Sequence, residues 1–287
     1  MLAKLIRRAE VVAEALPYLR KFHGAIIVVK YGGGAMTDRE LKEKITQDVV
    51  LLKYVGMHPV LVHGGGPEIN KALKKNNIVS NYVEGLRVTD EKTMVIVDKV
   101  LGNVNSRIVT LINKGGGKGR GFSGRKGKLV RAKKLLLTRK KQKIDLGFVG
   151  TVKSIDTELL KKTIFNGKIP VISSVGVDKT GQVYNINADY IADEIATAIG
   201  ARKVIFLSNV AGVLSKQGNL ISQLNTTRIR RLIRAGVISG GMIPKVRRSL
   251  EAIKQGVETV HIIDGRVPHA VLLEVFTDHG IGTMVVK

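Results

Sequence analysis

Short apolar, β-branched runs alternate with amphipathic stretches along most of the chain. Residues 25–29, 59–62, 169–172, 204–207 and 259–263 each read as a strand. A continuous apolar run between turn signals suits a strand covered on both faces. Thr37-Asp-Arg-Glu40 has the form of a capping box and opens a helix running towards Tyr54. Helical patterns also follow Asn187, Thr226, Met242 and Pro268. Strand, glycine turn and helix in repetition predict a three-layer αβα sandwich with a mainly parallel central sheet, an α/β fold. Residues 115–150 break that rhythm with glycine and charge, which predicts hairpins or a flap. At the N-terminus, Leu2, Leu5, Ile6, Ala9, Val12, Ala13 and Leu16 fall on one helical face. Two readings stay open there: the face packs on its own domain, or it is exported to another subunit.

Composition narrows the function. The chain has 287 residues, 44% of them hydrophobic, and no cysteine, so disulfides, Cys-based zinc sites and thiol chemistry are excluded. No apolar run approaches the roughly 18 residues of a membrane span, and the first 20 residues mix Arg7 and Arg8 with Glu10 and Glu14, unlike a signal peptide. A soluble intracellular chain is expected, in the cytoplasm or, if plastid-encoded, in the plastid stroma. The net charge of +25 attracts nucleic acids and anionic metabolites alike. Residues 114–143 hold thirteen basic residues, no acidic one, and a single aromatic, Phe122. Single-strand sites interleave basic residues with several stacking aromatics. A solvated basic face, with no specific nucleic acid and no membrane as partner, is therefore the expectation.

Candidate chemistry lies at the glycine clusters Gly32-Gly-Gly34 and Gly64-Gly-Gly66, which follow the first two strands. Ligands in a parallel sheet collect beyond the carboxyl ends of its strands. Glycine lets backbone N–H groups approach an anion, and each cluster precedes a helix whose N-terminus favours negative charge. Lys30 stands at the mouth of the first loop, where an ammonium meets a phosphate, although strand-end lysines are also common on surfaces. No Walker A loop is present. Gly119-Arg-Gly-Phe-Ser-Gly124 follows no predicted strand and reads as a chance G-x-G-x-x-G match. The six histidines show no metal-ligand spacing, so no metal held by protein ligands alone is assigned.

Five segments together carry a resemblance: Lys30-Tyr-Gly-Gly-Gly-Ala-Met36, Val62-His-Gly-Gly-Gly-Pro67, Gly85-Leu-Arg-Val-Thr-Asp90, Asn185-Ile-Asn-Ala-Asp189 and Ser239-Gly-Gly-Met-Ile-Pro-Lys245. In order and spacing the chain resembles the amino acid kinase family, specifically its acetylglutamate-phosphorylating branch, over essentially its whole length. The resemblance implies transfer of the ATP γ-phosphoryl to the side-chain carboxylate of N-acetyl-L-glutamate, a step of arginine biosynthesis, with Mg2+ carried by the nucleotide. A carboxylate of pKa near ~4.3 is already ionised at neutral pH, so no general base is required. It also implies an oligomerisation helix over 1–20, an acyl-amino-acid lobe over 21–180 and an ATP lobe over 181–287.

Carried over residue by residue, the resemblance makes Lys30, Lys245 and Asp189 catalytic. Gly65, Gly66, Arg87, Asn185 and Asn187 would bind the acyl amino acid. Gly32, Gly33, Lys203, Ser208, Asn209, Gly212 and Gly241 would serve the phosphates and nucleotide. On the residues alone, Asn187 also reads as a helix cap and Asp189 as a first-turn acid. Arginine-sensitive members of the family form hexamers through an N-terminal helix and bind arginine beside it. The matching residues here are Tyr18, Lys203, His261, Glu274, Gly280 and Gly282. A PII-type signal protein docks on such rings in photosynthetic lineages. The chain departs from the family at Asn209, where aspartate is frequent, and at Ser123-Gly-Arg-Lys-Gly127, where an acid is common. The rival readings are a carbamate, aspartate, glutamate or UMP kinase of the same fold, or a basic nucleic-acid-binding protein.

Overall fold

The computed structural model describes residues 2–36, 38–139, 142–278 and 280–287. Among them, eight strands form one sheet in the spatial order Gln223–Leu224, Thr283–Val285, Thr259–Asp264, Lys203–Ser208, Ile26–Tyr31, His58–His63, Ile169–Ser173, Gly119–Phe122. Every neighbouring pair is parallel except Thr283–Val285 against Thr259–Asp264. Alternate side chains enter two separate cores. Val28, Val62, Val204, Phe206 and Ile262 pack with Leu160, Ile191, Ile195, Ile229 and Val246 from helices on one face. Ile27, Val29, Leu61, Ile205 and Ile263 pack with Ile45, Val49, Ile108 and Val271 on the other. Both faces are apolar because both are covered, which is the layered α/β sandwich expected from the uninterrupted runs.

Helix starts follow from local chemistry. Asp38, Asp90, Asp156, Asn187 and Asn225 cap the helices Arg39–Tyr54, Glu91–Lys114, Thr157–Phe165, Ala188–Ile199 and Thr226–Arg234, each side chain accepting from the backbone N–H three residues on. Thr37, the expected capping residue, lies outside the described residues. The N-terminal segment is two helices, Leu2–Glu14 and Leu16–Phe22, with Pro17 starting the second. The first does not bury its apolar stripe on this chain: Leu2 is 69% exposed and Val12 70%.

Residues 115–150 hold more regular structure than expected. Gly119–Phe122 is the edge strand of the main sheet, an element that the expectation of hairpins or a flap did not include. The expected hairpin is present as Val130–Arg139 against Gln142–Ile155, and it closes a four-stranded ring with Val175–Val177 and Val183–Asn185. Arg125, Lys126, Lys128, Arg131, Lys133 and Lys134 of the basic stretch are exposed. Phe122 is buried at 1%, so it offers no platform for a nucleic-acid base. Lys140 and Lys141 lie outside the described residues. Among the described residues no helix is long and apolar enough to cross a membrane.

Candidate active site

The strand Ile26–Tyr31 lies between His58–His63 and Lys203–Ser208, where the chain reverses its direction of travel across the sheet. A crevice opens beyond the carboxyl ends at such a point. Here it is a cleft of about 590 Å3 lined by Lys30, Gly32, Gly33, Gly65, Gly66, Arg87, Asn185, Asn187, Asp189 and Asn209. Ten positions proposed from five separate segments thus meet in one space.

Its charged centre is Asp189, in the first turn of Ala188–Ile199. One carboxylate oxygen lies 2.7 Å from Lys30 Nζ and the other accepts a hydrogen bond of 2.8 Å from Lys245 Nζ. Burial by itself would raise the Asp189 carboxyl, but the two ammonium groups override it and hold it well below the usual carboxylate range. Two cations on one anion leave a net positive charge facing the cleft. Lys245 sits one turn into Met242–Lys254 with its ammonium 5.3 Å from the centre of the Phe206 ring. Gly241 precedes that helix, whose first amides are taken up by the turn before it: Met242 N donates to Ser239 O and Ile243 N to Gly240 O, each at 3.2 Å, and Pro244 has no N–H.

The glycines have separate reasons. A Cβ on Gly32 would meet Lys30 Nζ at 2.6 Å, so glycine is what lets the ammonium lie along the loop. Gly33 has φ +70°, and a Cβ there would collide with Asn209. Gly65 is the N-cap of Gly66–Lys75, and its missing side chain makes room for Leu101. Asn185 donates to Thr89 Oγ1 at 3.2 Å, tying its strand to the segment just after the Tyr82–Val83/Leu86–Arg87 hairpin. Asn187 caps Ala188–Ile199 through Tyr190 N at 3.1 Å while still lining the cleft.

Residues the sequence reading passed over complete the site. His63 is fully buried; Asn105 donates to its Nε2 at 3.0 Å, so Nδ1 carries the proton and donates to Gly64 O at 2.8 Å. Burial pushes the imidazole down to about 4, which keeps it neutral. It thus pins the second glycine loop without adding charge. Asn70, Ser80 and Tyr82 surround Arg87. His63 stood inside a quoted motif and was legible as a candidate; Asn70, Ser80 and Tyr82 carried no local signal.

Lys203 is not brought to the cleft. It opens its strand at the opposite end from Ser208, in register with Ile27, and is buried against Phe22 with Nζ 4.9 Å from the ring centre. Its assignment to the nucleotide is therefore corrected. It lines instead a second pocket of about 350 Å3 with Tyr18, His261, Glu274, Gly280 and Gly282. There His261 Nδ1 lies 2.5 Å from Glu274 Oε1, and Ile281 N donates to Glu274 Oε2 at 2.9 Å. Burial would raise the Glu274 carboxyl, but the His261 and backbone contacts bring it below its usual value. Gly280, at φ +59°, leaves room that a Cβ would take from the same carboxylate at 2.7 Å. Gly212 packs against Thr283, a Cβ meeting its Oγ1 at 2.5 Å, in the loop after Ser208.

The chain is 51% identical to an acetylglutamate kinase from Acinetobacter baylyi over 98% of its own length and 95% of the relative's. It is also 51% identical to an acetylglutamate kinase from Neisseria meningitidis serogroup C, over 97% and 94%. Among solved structures it superposes on N-acetylglutamate synthase from Neisseria gonorrhoeae with a TM-score of 0.88 at 24% identity. That match covers 97% of this chain and 63% of the other, so the chain spans less than two thirds of that protein, and the likeness carries the fold alone. The amino acid kinase family matches residues 25–264, from the strand that carries Lys30 to the strand that ends at Asp264. With its glycine loops and lysines gathered at the switch point of the family's parallel sheet, the chain belongs to the amino acid kinase family.

Proposed function

We propose that this chain transfers the γ-phosphoryl group of ATP to the side-chain carboxylate of N-acetyl-L-glutamate, yielding the acyl phosphate and ADP in arginine biosynthesis. The observation that carries the reading is the pair of ammonium groups held on Asp189 between two glycine loops. The named activity of relatives at about half identity supports it. A carboxylate oxygen attacks the γ-phosphorus, the bond to the β,γ-bridging oxygen breaks, and its electron pair leaves with ADP. Charge on the transferring group is met from two sides by Lys30 and Lys245, oriented by Asp189, and by the backbone N–H groups of Gly32, Gly33, Gly65 and Gly66. Ser208, Asn209, Gly212 and Gly241 serve the nucleotide. Mg2+ travels with the ATP phosphates, because the cleft's acid is already paired with two lysines and offers no set of free carboxylates. Residues 21–180 form the acyl-amino-acid lobe and residues 181–287 the ATP lobe.

Arg87 grips the substrate α-carboxylate, and Asn185 and Asn187 bind the rest of the acyl amino acid. Phosphotransfer to N-acetylglutamate, with carbamate, aspartate, glutamate and UMP assayed beside it, tests the reading. Activity on one of those four instead would replace it. Arg87→Lys keeps the charge but loses the planar fork, and is expected to raise KM for acetylglutamate about tenfold or more. A rise confined to KM for ATP would move Arg87 to the nucleotide site.

We infer further that the chain is of the arginine-sensitive, hexameric type and acts in the cytoplasm. The uncovered stripe from Leu2 to Leu16 supports assembly through the N-terminal helix, giving a trimer of dimers. Tyr18, Lys203, His261, Glu274, Gly280 and Gly282 form the effector pocket, in which the Glu274 carboxylate pairs with the guanidinium of arginine. Arginine inhibits by its differential affinity for two ring geometries. A PII-type signal protein docks on the same ring. Deleting residues 1–16 is expected to reduce the hexamer to a dimer by light scattering and to abolish arginine inhibition while activity persists. A full-length protein that is already a dimer indifferent to arginine would overturn this.

A further inference from the structure

The surroundings of Arg87 carry an inference that rests on the proposed grip of this residue on the substrate α-carboxylate. Arg87 is buried, 7% exposed, yet among the described residues its hydrogen-bond acceptors are neutral. Nη1 donates to Ser80 Oγ at 2.6 Å and Nη2 to Asn70 Oδ1 at 2.7 Å. The Tyr82 ring lies beneath the guanidinium, 4.8 Å from its central carbon. Ser80 Oγ and Tyr82 OH also donate to Asn70 Oδ1, at 3.2 and 3.1 Å. Three donors therefore converge on one amide oxygen, and since a guanidinium can only donate, that atom is the oxygen and not the amide nitrogen. The helix Gly66–Lys75 carries Asn70, the Tyr82–Val83/Leu86–Arg87 hairpin carries Tyr82 and Arg87, and Ser80 lies two residues before that hairpin, so the amide joins two elements of the cleft wall.

We propose that Asn70 is a positioning residue that holds Arg87 in place without neutralising it, and thereby sets the preference for a substrate bearing an α-carboxylate. A carboxylate at this position would hold the guanidinium at least as firmly, since charge-assisted hydrogen bonds are the stronger kind. It would also satisfy the buried positive charge internally, leaving less attraction for an incoming anion. An amide of the same shape supplies the geometry and leaves the charge to the ligand. Burial disfavours a cation that lacks a counter-charge, so the cleft beside Arg87 favours an anionic group.

The test compares N-acetylglutamate with its α-carboxamide analogue, which keeps the reacting side-chain carboxylate. Wild type is expected to prefer the α-carboxylate by about 10²-fold in kcat/KM, the scale of a lost charge-assisted contact to a buried group. Asn70→Asp is expected to cut that preference at least tenfold, through KM more than kcat. Asn70→Ser, which withdraws the shared oxygen without adding charge, raises KM for acetylglutamate several-fold but keeps the preference. A merely structural role would move both variants alike and would leave the preference intact. Retention of the full preference in Asn70→Asp overturns the proposal, as does its equal loss in Asn70→Ser. If wild type itself shows no preference, it is the Arg87 assignment that fails. Should Asn70→Asp not fold, an unchanged KM for acetylglutamate in Asn70→Ser overturns the proposal on its own.

Discussion

Replacing either Lys30 or Lys245 by Met is expected to lower kcat by roughly 10²-fold or more, the range seen when one preorganised electrostatic donor is removed. Methionine keeps most of the side-chain volume, so the loss reports on charge and not on packing. Both ammonium groups act on the same transferring phosphoryl from opposite sides. They are also held by the same carboxylate, at 2.7 and 2.8 Å. The double variant should therefore lose far less than the product of the two single losses, as groups working as a unit do. Steady-state kinetics at saturating ATP and acetylglutamate measure this directly, and normal kcat in both single variants would remove the lysines from the chemistry.

Asp189→Asn is the second large effect. The substitution keeps the shape and removes the anion that lets two ammonium groups lie close together. Without it they repel, one or both turn away, and kcat falls by roughly 10²-fold. Stability falls as well, by about 3 kcal/mol, the low end for breaking a buried pair because both lysines reach the open cleft. The pH dependence has a definite sign. The folded carboxyl lies below its unfolded value, so its stabilisation is fully present above the unfolded pKa near ~3.9 and is lost as pH falls towards the folded value. The part of the gap in unfolding free energy between wild type and Asp189→Asn that comes from Asp189 itself should thus be lost only below about pH 4. A separate change near neutral pH follows from buried Asp193, which burial and the Asp189 charge push up to about 8. A gap that stays constant as pH falls below about 4 would mean that Asp189 is not the ionised centre described here.

Much of this architecture was legible in one dimension. The five apolar runs became central strands because a strand buried on both faces can hold little else, and the alternate residues of each run divide cleanly between two cores. The edges of the pattern were less legible. Gly119–Phe122, written Gly-Arg-Gly-Phe, has weak strand propensity and pairs only because Ile169–Ser173 offers an open parallel edge. A side chain at Gly121 would collide with Asn105, a residue far from it in sequence. The helix Glu91–Lys114 was not placed from the pattern, although its capping Asp90 lay inside a quoted segment.

By itself the sequence determined the alternation of strand and helix, the two glycine loops at strand ends, and the identity of the cationic groups. These are local: an apolar run, a missing Cβ or an ammonium keeps its character whatever surrounds it. Only the tertiary structure decided which of them meet. Lys30, Asp189 and Lys245 are joined because the parallel sheet brings the ends of distant strands to one crevice. Lys203 is parted from them because it stands at the start of its strand, beside Ile27, whereas Lys30 stands near the far end of the parallel neighbour, beside Phe206. The neutral setting of Arg87 is likewise a tertiary fact, since Asn70, Ser80 and Tyr82 acquire meaning only when helix and hairpin close around the guanidinium. Long-range pairing depends on register and topology, and those come from the summed burial of the whole core and not from any segment read alone.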